Sequence, residues 1–100
     1  MKKIVLLCNM GLSTSALVKK MTQAAEEQGY ECTINAFPAS EAATEAADAD
    51  VVLIGPQVSY LKQKVQETLP GKPVEVVAMA DYGMMNGKAV LAAARKMMGE

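Results

Sequence analysis

The chain has no histidine and no tryptophan, a single arginine (Arg95), a single phenylalanine (Phe37) and only two cysteines, Cys8 and Cys32. Without histidine there is no imidazole for acid–base catalysis, no His-liganded metal and no phosphohistidine on this chain. Two cysteines alone cannot make a zinc set, and neither a metal nor a cofactor is expected. A chain that is 51% hydrophobic does not need a disulfide scaffold, so a reduced, cytoplasmic protein is expected. The formal charge of -1 supplies no basic footprint for nucleic acid and no polybasic membrane patch. No apolar run approaches the roughly 20 residues of a membrane span. The run Ile4-Val5-Leu6-Leu7 behind Lys2-Lys3 stops before Cys8, too soon for the apolar region of a signal peptide. Nothing points to an obligate dimer, and a soluble monomer is expected.

At 100 residues the chain is the size of one small domain, 1–100. With 4% aromatics its core must be built from Val, Leu, Ile, Ala and Met. The pattern alternates between two periods. Lys3 to Leu7 reads as a buried strand. Leu17, Val18, Met21 and Ala25 recur at helical spacing, and Gly29 ends that helix. Tyr30 to Phe37 reads as a second strand closed by Pro38, with Cys32 inside it and away from its ends. Ser40 is placed to cap an Ala-rich helix running to about Ala47. Val51 to Ile54 is a third strand. Val58, Leu61, Val65 and Leu69 mark a helix stopped by Pro70-Gly71, and Val74 to Val77 a fourth strand. A loop holding Asp81-Tyr82-Gly83 and Asn86-Gly87 then leads to a last helix with Val90, Ala93, Ala94 and Met97 on its apolar face. Strand and helix alternate four times, which predicts an open, four-stranded parallel α/β sheet with helices on both faces.

In such a sheet ligands collect beyond the carboxyl ends of the strands, where the strand order reverses. The first strand ends at Cys8, and Asn9-Met10-Gly11-Leu12-Ser13-Thr14-Ser15 follows it into a helix. Amides at a helix N-terminus converge and carry partial positive charge. Gly11 permits a tight turn and close approach of a ligand. The three hydroxyls of Ser13, Thr14 and Ser15 can donate to phosphate oxygens or cap the helix. Helix N-termini also favour a thiolate over a thiol, and a thiolate here could attack phosphorus. Taken singly, a cysteine at a strand end is a small buried hydrophobe and Ser-Thr-Ser is a cap. Together in the first βα loop they make a phosphate cradle, Asn9 to Ser15, around the nucleophile Cys8.

That loop, Phe37-Pro38, the stretch Ala49-Asp50-Val51-Val52-Leu53-Ile54-Gly55-Pro56-Gln57 and Lys72-Pro73-Val74-Glu75-Val76 closely resemble the lactose/cellobiose (chitobiose) IIB proteins of the phosphoenolpyruvate-dependent sugar phosphotransferase system. The resemblance covers nearly the whole chain. It implies a four-stranded parallel sheet with a phosphatase-like phosphate loop. It also implies that Cys8 takes a phosphoryl group from a phosphohistidine on a IIA partner and passes it to a sugar bound by a membrane IIC partner. The sugar would be a β-glucoside-type disaccharide such as cellobiose or chitobiose, or lactose.

Two other readings stand beside it. Low-molecular-weight tyrosine phosphatases use Cys, five residues, Arg, then Ser or Thr. Here Cys8 is followed by five residues and Thr14, then Ser15, so the guanidinium that grips the transferring phosphoryl group is missing. Asp81 is the residue that could stand in for a phosphatase's acid. A non-catalytic regulatory module of the receiver type would need carboxylates at the first strand end, and the loop after Cys8 has none. Further site or partner contacts are Gln57, which could bond phosphate or a partner, and Tyr82, which could frame the site. Met84-Met85 could form an adaptable contact surface or simply pack. Lys19 and Lys20 are read as a solvated face, Cys32 as packing, and Arg95 as a favourable charge near a helix C-terminus.

Overall fold

The computed structural model describes residues 1–9 and 12–100, with the side chains of Leu12 and Ser13 outside the description. Four parallel strands, β1 (Lys2–Cys8), β2 (Cys32–Pro38), β3 (Val51–Ile54) and β4 (Val74–Val76), lie in the order β2-β1-β3-β4. The order reverses between β1 and β3, the two central strands. Ile4 to Leu7 and Val51 to Ile54 are buried throughout, as strands covered on both faces must be. Each such side chain contributes about 1.5–3 kcal/mol over its exposed state.

Alternation along the strands divides these residues between two cores. Ile4, Leu6, Val51 and Leu53 pack with Leu17 and Met21 of α1 (Leu12–Glu27) and Val90, Leu91 and Ala94 of the C-terminal helix. Val5, Leu7, Val52 and Ile54 pack on the other face with Ala42, Ala46, Val58, Val65 and Leu69. There the chain forms a 3₁₀ turn (Ala39–Glu41), α2 (Ala42–Glu45), a second 3₁₀ segment (Pro56–Leu61) and α3 (Lys62–Thr68). A short helix, α4 (Met79–Gly83), follows β4 and leads to α5 (Gly87–Met97), whose N-cap Asn86 accepts from the Ala89 amide.

Helix α1 ends as its pattern predicts. The Tyr30 amide bonds the Ala25 carbonyl and the Gly29 amide that of Glu26, with Gly29 at φ 64. At the other end of the pair, α5 starts against the backbone of α1. A methyl group on Gly87 would sit 2.4 Å from the Lys20 carbonyl carbon and 2.5 Å from the Met21 nitrogen, so only glycine lets the two helices meet there. Arg95 lies 4.1 Å above the Tyr30 ring and donates to Glu100 and Gln28, closing the same pair at its far end. Among the described residues, no helix is long and apolar enough to cross a membrane.

Several expectations are corrected. Ser40 caps nothing: it lies inside the 3₁₀ turn, and the Ala-rich helix shrinks to Ala42–Glu45 with no side-chain cap. The helix expected from Val58 to Leu69 is broken, because Val58 has non-helical φ -120 and Pro56 opens a 3₁₀ segment. Val58, Val65 and Leu69 are nonetheless the buried stripe. The expected loop at Asp81-Tyr82-Gly83 belongs to α4, where burial of Tyr82 outweighs the local turn signal. Cys32 is not interior to β2 but its first residue, since Tyr30 is used in closing α1 and pairing with β1 starts at Lys2 opposite Cys32. Its thiol is half-buried, and burial raises its pKa against the lowering effect of Arg95. Ala93 is exposed, and Leu91 takes its place on the buried face of α5.

Candidate functional site

Cys8 is the last residue of β1, opposite Pro38 of β2 and one residue past the pairing of Leu7 with Ile54. It therefore sits at the carboxyl end of a central strand, beside the reversal of strand order where open parallel sheets bind ligands. The side chain has a neighbour on two sides. Its sulfur lies 3.8 Å from the Phe37 carbonyl oxygen, to which the thiol donates. Gly55, whose amide bonds the Leu7 carbonyl at 2.9 Å, lies behind it, and a methyl group there would be 3.9 Å from the Cys8 Cβ. Cys8 is 6% exposed, and that opening faces a cavity of about 670 Å³.

The cavity starts at Cys8 and Asn9 and runs between the 38–43 segment and the 58–68 segment. Ser40, Tyr60, Lys64 and Thr68 give it polar character, with Lys64 the one charged side chain among the described lining residues. Sequence reasoning did not find this wall, since its residues come from two broken helices with no shared motif. Tyr60, 75% exposed, is the signal that could have drawn notice, being an aromatic left in solvent.

Asn9 is exposed at the mouth of the site. Met10 and Gly11 lie outside the described residues, as do the side chains of Leu12 and Ser13, so four members of the expected cradle have no side-chain placement. Helix α1 begins at Leu12, and the amides of its first turn have no acceptor within the helix. Ser15 is exposed. Thr14 is the buried polar residue among those described, 1% exposed, with its hydroxyl 2.7 Å from that of Tyr82.

Tyr82 thus reaches the start of α1 from α4 and is itself buried. Gln57 is exposed, with its Oε1 over Gly55 on the side of Cys8. Asp81 is not brought to Cys8's cavity. It lines a separate one of about 440 Å³, with Glu75, Val77, Val90 and Lys96, between β4 and α5. Met79, the first residue of α4, and Met84, just past its end, are 74% and 79% exposed, whereas Met85 is half-buried against the core. Lys19 and Lys20 are exposed.

The arrangement puts a thiol at a strand end, four positions before the start of α1, with a cavity in front, while the chain's one guanidinium, Arg95, is held at Tyr30 and Gln28. Residues 3–93 match the family described as PTS system, Lactose/Cellobiose specific IIB subunit. The chain is similar to the PTS system galactose-specific EIIB component of Lactococcus lactis subsp. cremoris, at 43% identity over 97% of this chain and 96% of that one. It is equally similar, at 43%, to the oligo-beta-mannoside-specific EIIB component of Bacillus subtilis, over 98% of this chain and 97% of the other. The solution structure of a cellobiose-specific phosphotransferase IIB component from Borrelia burgdorferi superposes with a TM-score of 0.83 at 33% identity, covering 98% of this chain and 92% of that chain. The chain belongs to the lactose/cellobiose-specific IIB family of the sugar phosphotransferase system.

Proposed function

We propose that this protein is a phosphocarrier that takes a phosphoryl group onto Cys8 from a IIA phosphohistidine and gives it to a sugar held by a membrane IIC partner. The observation that carries this reading is Cys8 itself, closing the central strand ahead of α1 and opening on a cavity. In the first step the sulfur, as thiolate, attacks phosphorus in line. The S–P bond forms as the N–P bond breaks, and the imidazole leaves with the electron pair. Amides of the 9–15 loop and first turn of α1 hold the phosphoryl oxygens, aided by hydroxyls. In the second step a sugar hydroxyl attacks the same phosphorus from the opposite side. The O–P bond forms, the S–P bond breaks, Cys8 leaves as thiolate, and the hydroxyl proton passes to a base or to solvent.

Both partners must reach Cys8 from the carboxyl end of the sheet, so they dock in turn. Gln57 and the exposed Tyr60, Met79 and Met84 are suited to those contacts, an aromatic ring and two adaptable thioethers. The sugar class that the family resemblance implies is a β-glucoside-type disaccharide such as cellobiose or chitobiose, or lactose. Relatives equally similar to this chain carry different sugar names, which fits a sugar chosen by IIC rather than by IIB.

A carrier's phosphocysteine has to outlast the wait for its acceptor, and a loop without arginine suits that need better than a phosphatase's loop. Asp81, which a phosphatase reading would use as acid, opens on the other cavity. Reconstitution with phosphoenolpyruvate, the general phosphotransfer proteins, IIA and IIC tests the proposal. Cys8→Ser should fold and relay nothing, and Cys32→Ser should relay normally. Sustained turnover of p-nitrophenyl phosphate by the isolated protein would replace the carrier by a phosphatase.

A further inference from the structure

The bond between the Thr14 and Tyr82 hydroxyls joins residues 68 apart in sequence. It is also placed where hydroxyls are costly, since an unpaired buried hydroxyl loses hydration without return. Two other threonines of this chain behave differently. Thr22 and Thr68 donate to carbonyls four residues back in their own helices, Val18 and Lys64, at 2.9 Å. Thr14 instead turns its hydroxyl to a different element, although valine against phenylalanine would fill the same space without polar atoms. Thr14 is also in the first turn of α1, six positions after Cys8, where a phosphatase-type loop would carry its arginine. Its β-branched side chain has few rotamers, so fixing the hydroxyl fixes the turn that bears it.

Tyr82 in turn is set firmly. Its amide bonds the Ala78 carbonyl at 2.9 Å, its ring is part of the α1/α5 core, and the Asn86 amide closes α4 on the Asp81 carbonyl at 2.8 Å. We infer that Tyr82 is a positioning residue for phosphoryl transfer at Cys8: through Thr14 it holds the first turn of α1 in the orientation that aims its amides at the phosphoryl oxygens. This rests on the carrier reading above and adds to it a part that never touches the phosphoryl group. A neutral pair of hydroxyls, one on each helix, does the orienting in a loop that has no guanidinium.

The test measures the rate of phosphoryl uptake from phosphorylated IIA, over a range of IIA concentration, for Tyr82→Phe, Thr14→Val, Thr14→Ser and the double variant Tyr82→Phe/Thr14→Val. Tyr82→Phe and Thr14→Val should each lower the maximal rate about tenfold, the worth of one neutral hydrogen bond made in the right place. KM for phosphorylated IIA should move by less than about twofold, because the docking surface is unchanged. Thr14→Ser, which keeps the hydroxyl, should retain most of the rate, and the double variant should be no slower than the worse single. A Tyr82→Phe protein as fast as wild type would overturn the inference, because a Thr14 hydroxyl acting directly on phosphate survives that change. Losses that multiply in the double variant, or that appear in KM, would overturn it as well. Should Tyr82→Phe fail to fold, Thr14→Val against Thr14→Ser decides by the same rates. A wild type that takes no phosphate on Cys8 overturns both this inference and the carrier reading, whereas a phosphorylated wild type with unaffected variants overturns this inference alone.

Discussion

The two faces of the sheet are built differently. On one, α1 and α5 are long, regular and in backbone contact at Gly87, and a tyrosine hydroxyl is buried between α4 and α1. On the other, α2 and α3 are short pieces spliced with 3₁₀ turns, and they leave a cavity that leads to Cys8. The two tasks of the proposed phosphoryl relay would divide along the same line. On the carrier reading proposed above, the oxygens are held at the N-terminus of α1, which belongs to the first face. Successive partners would be admitted over the second face, where the cavity opens.

Truncations should separate the faces most clearly. Leu17→Ala, at a fully buried position against α5, should cost about 3–4 kcal/mol, whereas Leu61→Ala, half-buried beside the cavity, should cost about 1 kcal/mol. Denaturant midpoints check this, and equal losses would erase the distinction. Next in size, Gly87→Ala should lower stability by about 2 kcal/mol by forcing α5 off the α1 backbone. Gly83→Ala, with open space around the added methyl, is the control and should be close to neutral.

Gly55→Ala should act on the site with little effect on the fold. The new methyl would lie 3.9 Å from the Cys8 Cβ and 2.9 Å from the Gln57 Oε1, a side-chain end that can move away. Phosphoryl uptake should fall a few-fold at nearly unchanged midpoint. The smallest effect is at the far end of the α1/α5 face. Burial, helped by a hydrogen bond to Glu100, pushes the Tyr30 hydroxyl up to about 12 from 10.0, with Arg95 opposing. The neutral phenol is thus favoured by folding. Its contribution is complete below pH 10 and fades as pH rises toward 12, because the unfolded chain loses the proton first. A pH series of midpoints should show that alkaline decline, and Tyr30→Phe should flatten it.

Strands with apolar side chains on both faces were legible from sequence. Val51–Ile54 is found as read, and β1 extends only to Lys2 and Cys8 beyond its apolar run because backbone pairing does not depend on apolarity. Buried stripes were legible too, but continuity was not. Val58, Val65 and Leu69 face the core as their spacing predicts, across a kink that periodicity cannot register. Helix α4 is five residues long, too short for a period, and a Tyr-Gly pair reads locally as a turn. At the site, Cys8 and the helix after it follow from one contiguous motif. The Thr14–Tyr82 bond does not, because nothing near either residue encodes a partner 68 positions away. Asp81 and Tyr82 are neighbours in sequence, yet they go to opposite uses, one lining a remote cavity and the other reaching α1.

The central claim is that one sulfur carries the phosphoryl group. Peptide-resolved mass spectrometry, after incubation with phosphoenolpyruvate, the general phosphotransfer proteins and IIA, reads this directly. The account predicts one phosphate per chain, on the peptide containing Cys8, absent from Cys8→Ser and discharged when IIC and sugar are added. Phosphate on a serine, threonine or tyrosine, or on Cys32, or an unmodified chain beside a fully phosphorylated IIA, would contradict it.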